Sequence, residues 1–197
     1  MVLHCELSEF SGINLNNEQD RERMIKAIKY LANILFQTPS YGYSTIKIAS
    51  KMKKHVPLSI RVNPEIDPKT HPYITTGLKK NKFGVMREDA MKLYDRIKAH
   101  KYLTPVGISS HIGSQILELG PFKEAVCSLK EMVKQLKEKG ITLKFIDIGG
   151  GLGITYKDEL PPHPDDYARI IEEELKGTEL TLILEPGRVI VGNSGIF

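Results

Sequence analysis

The sequence predicts an α/β protein built on a parallel sheet. Apolar runs of strand length alternate with segments of helical period, and four of those runs end in glycine or polar residues where a structural turn needs only one or two. In such folds the loops at the carboxyl ends of the strands converge, so chemistry gathers there.

Each element has a local reason. Asp20 to Phe36 places Met24, Ile25, Ile28, Leu31, Ala32 and Leu35 on one helical face, and Gln37 to Gly42, with Pro39, breaks it. Thr45 to Lys54 suits a second short helix and Val56 to Val62 a strand. Arg87 to His100 is helical, with Ala90, Leu93, Tyr94 and Ile97 on one side, and Pro105 to His111 is a strand. Phe122 to Lys139 carries the clearest stripe, Phe122, Val126, Leu129, Val133 and Leu136, with Gly140 as its C-terminal cap. Thr142 to Ile148 is a further strand. Asp165 and Asp166 open a helix with acidic residues at its positive end, Tyr167, Ile170, Ile171 and Leu175 face inward, and Gly177 stops it. Leu180 to Leu184 is the last strand.

Composition narrows the function classes. With 41% hydrophobic and 26% charged residues over 197 positions, the chain is an ordinary globular protein with one core or part of a larger one. Neither a run of roughly 18 apolar residues nor a basic-then-apolar leader in Met1 to Phe10 is present, so a cytoplasmic protein with no membrane partner is expected. Cys5 and Cys127 read as reduced thiols, Cys127 packed in a helix. The net charge of +4 comes from lysines scattered along helices, a solvated face rather than a nucleic-acid surface.

The four strand ends are "SIRVNP" (Ser59 to Pro64), "GISSHIGSQI" (Gly107 to Ile116), "DIGGGLGI" (Asp147 to Ile154) and "LEPGR" (Leu184 to Arg188). The amides of Gly149, Gly150 and Gly151 suit a phosphate, or else form a tight turn without a ligand. The dinucleotide fingerprint fails because Ile154 stands where its third glycine belongs, and no Gly-Lys-Ser/Thr follows to make a P-loop. His111 is a structural histidine or a flat ring laid on a planar ligand, with Ser114 donating to the same phosphate. Glu185 and Arg188 are a surface ion pair across a Pro-Gly turn, or else an acid facing a ring nitrogen and a guanidinium facing a phosphate or carboxylate. A flat ring, a nitrogen that benefits from an acid partner and one phosphate together describe pyridoxal 5'-phosphate.

The same stretches, with "THPYITTGLKKNKFGV" and "LILEPGRVIVGNSG", make the chain from about Ile46 onward resemble the diaminopimelate decarboxylase family. Ornithine and arginine decarboxylases share the histidine, the glycine loop and the EPGR element. The resemblance implies an alanine-racemase-like (β/α)8 barrel, here its C-terminal half of about strands five to eight. The expected organisation is an unmatched helical segment at 1–45, a partial cofactor-binding barrel at 46–190, and the start of a C-terminal β domain at 191–197.

It further implies that His111 stacks on the cofactor ring and that Ser114 with Gly149, Gly150 and Gly151 holds the phosphate. Glu185 faces the pyridine nitrogen, Arg188 lies beside phosphate and substrate with the backbone of Pro186 and Gly187, and Arg61 points into the barrel near the cofactor. The Asn81 to Gly84 stretch, with Lys82, shapes the same mouth. The implied reaction is decarboxylation of meso-diaminopimelate to L-lysine, within lysine biosynthesis, by a homodimer with shared active sites. The family's Schiff-base lysine is not found: Lys47 and Lys51 fall in the short helix before "SIRVNP". An ornithine- or arginine-type decarboxylase and an inactive cofactor-binding fragment stay open. The chain by itself is expected to bind the cofactor weakly and to turn over no diaminopimelate.

Overall fold

The computed structural model describes residues 49–66 and 83–192. The expected helix at Asp20 to Phe36 and the positions of Lys47, Asn81 and Lys82 lie outside them. Among the described residues the elements are β1 (Val56–Asn63), β2 (Val85–Met86), α1 (Arg87–Ala99), β3 (Leu103–Ser109), α2 (Gly120–Glu138), β4 (Phe145–Asp147), α3 (Pro164–Leu175), β5 (Thr181–Ile183) and α4 (Gly187–Gly192). The strands form one parallel sheet in the order β2-β1-β3-β4-β5. This is the expected α/β alternation, with differences at its margins.

Among the described residues the sheet has five strands rather than four. Two residues, Val85 and Met86, pair with Val62 and Asn63, because Gly84 at φ +104° lets the chain come down on β1; a Cβ there would stand 2.8 Å from the Asn63 nitrogen. The strand expected over Thr142 to Ile148 is reduced to Phe145–Asp147. Its beginning is taken up by the end of α2: Gly140 at φ +73° donates to the Lys137 carbonyl and Ile141 to the Leu136 carbonyl, a Schellman closure that seats Ile141 in the core. The Pro-Gly turn expected in "LEPGR" leads directly into α4.

Period-two alternation gives the sheet two chemically different faces. Ile60, Ile108 and Ile146 are register partners across β1, β3 and β4, all buried, and they lie under the helices. A register shift between Leu58 and Ser59 brings the end of β1 into step with β3. Tyr94 of α1 is fully buried and its hydroxyl donates to the Gly107 carbonyl at 2.7 Å, pinning that helix to β3. In α2 the buried stripe is Phe122, Val126, Leu129, Met132 and Leu136, and Phe122 meets Tyr167 of α3 edge-on at 4.7 Å. The side chain of His163 caps α3 by accepting from the Asp165 nitrogen. Cys127 departs from expectation: it lies on α2 but on the exposed side, donating to Glu174 Oε2 at 3.2 Å, because the 3.6-residue period places it between Val126 and the outer face. No helix among the described residues is long and apolar enough to cross a membrane.

The packing of α2 makes a direct expectation. Leu129→Ala removes a fully buried side chain and should lower stability by about 2–5 kcal/mol, whereas exposed Lys134→Ala should change it by less than about 0.5 kcal/mol, both read from urea unfolding. Equal effects for the two would refute this assignment of the core.

Candidate functional site at the carboxyl ends of the strands

The row above Ile60, Ile108 and Ile146 is polar. Arg61, Ser109 and Asp147 are register partners on consecutive strands, so they stand side by side on the face opposite the helices. Burial pushes the Asp147 carboxyl above its usual range, opposed by the Gly149 amide, which donates to Oδ1 at 2.8 Å, and by Arg61. Burial also lowers Arg61, and Asp147 opposes it. The Arg61 guanidinium lies 5.8 Å from the Phe83 ring centroid, which brings the described end of the Asn81 to Gly84 stretch, Phe83, beside Arg61. Arg61 Nε and Ser110 Oγ are buried polar atoms without a hydrogen-bond partner among the described residues. Such atoms at the end of a sheet are where a bound molecule's polar groups would be received.

The glycine loop follows at once. Gly149 (φ +69°) and Gly151 (φ +112°) have backbone conformations that side chains disfavour, and the space at all three positions is already taken. A Cβ on Gly149 would stand 2.7 Å from His111 Nδ1 and 2.8 Å from the Ser110 carbonyl; one on Gly150 would collide with the Glu185 carbonyl, and one on Gly151 with the Gly113 carbonyl. Backbone hydrogen bonds hold the same approach: Ser110 donates to the Asp147 carbonyl and Glu185 to the Gly149 carbonyl, each at 2.8 Å. The Gly150 amide donates to His111 Nδ1 at 3.2 Å. Burial, and then the charge of Arg61, lower the His111 pKa.

The structure therefore brings together Arg61, His111, Gly149, Gly150, Gly151 and the backbone of Glu185. Ser114 is half-buried in the turn after Gly113. Pro186 is half-buried, and Glu185, Gly187 and Arg188 are exposed on the rim. Arg188 donates to the Tyr156 hydroxyl and lies over that ring at 5.7 Å. Lys51 is exposed on the short helical stretch at 49–52, behind the start of β1. Asp147, Ser110, Gln115 and Tyr156 were not singled out from the sequence. The signal for Asp147 was present, since alternation with Ile146 and Ile148 puts it alone on the opposite face. Gln115 and Tyr156 carried no such signal, because their contacts depend on how two loops meet.

Comparison with known proteins identifies the family and the fold. Residues 14–192 match the family described as pyridoxal-dependent decarboxylase, pyridoxal binding domain, a match that begins well upstream of Ile46. The chain is similar to diaminopimelate decarboxylase of Haemophilus influenzae, 53% identical over 189 residues that make up 95% of this chain and 45% of that protein. It is 48% identical to the Aquifex aeolicus enzyme of the same name over 76% of this chain and 36% of the relative. Among solved structures it resembles diaminopimelate decarboxylase from Helicobacter pylori complexed with L-lysine, with a TM-score of 0.74 and 43% identity over 79% of this chain and 39% of that one. The chain thus spans less than half the length of the relatives it matches, and its sheet is the corresponding part of their alanine-racemase-like barrel. The chain belongs to the pyridoxal-dependent decarboxylases, matching their pyridoxal-binding domain.

Proposed function

We propose that this chain supplies the cofactor cradle of a pyridoxal 5'-phosphate-dependent decarboxylase acting on meso-2,6-diaminopimelate to give L-lysine and carbon dioxide. The observation that carries the proposal is the glycine loop: three consecutive glycines whose Cβ positions are filled by His111, Glu185 and Gly113 put bare backbone where three strand ends meet, with the Gly149 and Gly150 amides tied to Asp147 and His111. The relatives' names supply the substrate.

The residues present fit the cofactor. The Gly149 to Gly151 loop, with Ser114, would hold the phosphate, Gly151 offering its amide while those of Gly149 and Gly150 stay on Asp147 and His111, and Arg61 Nε and Ser110 Oγ are buried donors that a bound molecule would satisfy. When bound, the cofactor supplies a protonated heteroaromatic ring that accepts the electron pair released as the carboxylate departs. His111 would lie flat against that ring. Its Nδ1 accepts from the Gly150 amide, so the proton of the neutral ring sits on Nε2 and the imidazole orientation is tied to the phosphate loop. Glu185 would keep the ring nitrogen protonated. Asp147 holds Gly149 through Oδ1 and balances the charge of Arg61. Arg188 on the rim would meet the substrate carboxylate or the phosphate after leaving Tyr156. The name of the relatives, diaminopimelate decarboxylase, supports a place within lysine biosynthesis, for which a cytoplasmic location is part of the proposal.

Substrate class is tested by replacing the matched stretch of the Haemophilus influenzae enzyme with residues 14–192 of this chain. The chimera should release carbon dioxide from meso-diaminopimelate and not from ornithine or arginine; activity on ornithine alone would overturn the assignment. Gly150→Ala should weaken cofactor binding by at least about tenfold, since its Cβ runs into backbone, while Gly187→Ala, with open space around its Cβ, should leave it within about twofold. A fluorescence titration with the cofactor decides between them. The His111 ring also predicts a pH dependence. Its folded pKa lies below the unfolded value of about 6.5, so its contribution to stability is present above that pH and is lost as pH falls toward the folded value. The urea midpoint should therefore fall between about pH 7.5 and 5.5 in the wild type, with a shallower fall in His111→Gln. Parallel curves would show that His111 does not titrate as described.

A further inference from the structure

We propose that Gln115 is a positioning residue for the phosphate loop, its carboxamide clamping the glycine segment against the histidine segment. The proposal rests on the cofactor reading above and extends it to a side chain whose hydrogen-bond partner is the backbone of Ile154.

The strand ladder ends at Ser109 and Asp147, yet the cradle is built from the residues that follow each of them. A second, smaller junction holds those continuations together. Ile116 donates to the Gly151 carbonyl at 2.8 Å, Gly153 donates to the Ile116 carbonyl at 3.0 Å, and Ile116 and Leu152 form an isolated parallel bridge. Gln115 adds a further connection through its side chain. Its Nε2 donates to the Ile154 carbonyl, and its Oε1 accepts from the Ile154 nitrogen at 3.2 Å. Both ends of one carboxamide thus engage both polar groups of one backbone residue, as a neighbouring strand would.

Three features make this more than a chance contact. Gln115 is 7% exposed, so the amide is committed to its partner rather than to water. It stands at φ 56°, a conformation a non-glycine residue keeps when its surroundings hold it there. Gly153 is so close that a Cβ would stand 2.8 Å from Leu117 Cδ2 and 3.1 Å from the Ile116 carbonyl, so the clamp has no slack. The chemistry is specific to glutamine. Glutamate would keep the acceptor for the Ile154 nitrogen but place a carboxylate oxygen against the Ile154 carbonyl; leucine keeps the volume and loses both bonds.

The test compares pyridoxal 5'-phosphate with pyridoxal, which lacks the phosphate, in titrations of wild type, Gln115→Glu and Gln115→Leu. Thermal unfolding without ligand is followed in parallel. Loosening the loop should raise the Kd for the phosphorylated ligand by about tenfold in both variants and leave that for pyridoxal within about twofold. A purely structural role would lower the unfolding temperature and shift both ligands alike, and that outcome, or unchanged phosphate-ligand affinity, would overturn the proposal. Amide hydrogen exchange in the wild type gives a check that survives a variant that does not fold: the Ile154 amide should be protected without ligand, and fast exchange there would also overturn it. A protected Ile154 amide in a wild type that binds both ligands equally would place the failure in the cofactor reading and withdraw the role of Gln115 with it.

Discussion

The in-register parallel ladder across β1, β3 and β4 is the constraint on which the rest depends. Because Arg61, Ser109 and Asp147 are partners in one row, the residues after them leave the sheet at one level and on converging paths. Burying Ile60, Ile108 and Ile146 beneath the helices fixes that register: a one-residue slip would turn Arg61 and Asp147 into the apolar layer and the isoleucines out of it. The core thus sets the site, and the charged pair is tolerated because it stands on the face the helices do not cover.

Close backbone approach is the second condition. Three strand ends meet at Gly149 to Gly151, and the Cβ positions there are occupied by the chain itself, by His111, Glu185 and Gly113. The loop is therefore glycine for internal reasons before any ligand is considered. Two of its amides are engaged from within, Gly149 with Asp147 Oδ1 and Gly150 with His111 Nδ1, so the packing that forces the turn also fixes how the loop is presented. His111 belongs to the same packing: its Nδ1 accepts from the Gly150 amide and stands where a Cβ on Gly149 would fall.

Most of this was legible in the sequence, and the rest was not for identifiable reasons. Helical stripes such as Phe122 to Leu136 and the apolar runs of β1 and β3 are long enough for their period to declare them. The brief strands β2 and β4 are not, because Val85–Met86 exists through Gly84 landing on β1 and Phe145–Asp147 is shortened by the Schellman closure at Gly140. At the site, glycine runs and the motif histidine can be read locally. Contacts such as Gln115 with Ile154 or Arg188 with Tyr156 join positions far apart in sequence and become visible when the loops are placed.

The central claim is that the glycine loop receives a phosphate. The most direct measurement is an amide spectrum of the chain labelled with 15N-glycine, recorded during addition of pyridoxal 5'-phosphate and again with pyridoxal. The account predicts that Gly113, Gly149, Gly150 and Gly151 shift with the phosphorylated ligand and much less with the other, while Gly120, Gly140 and Gly177 stay in place. Shifts confined to those last three, or identical for both ligands, would contradict it.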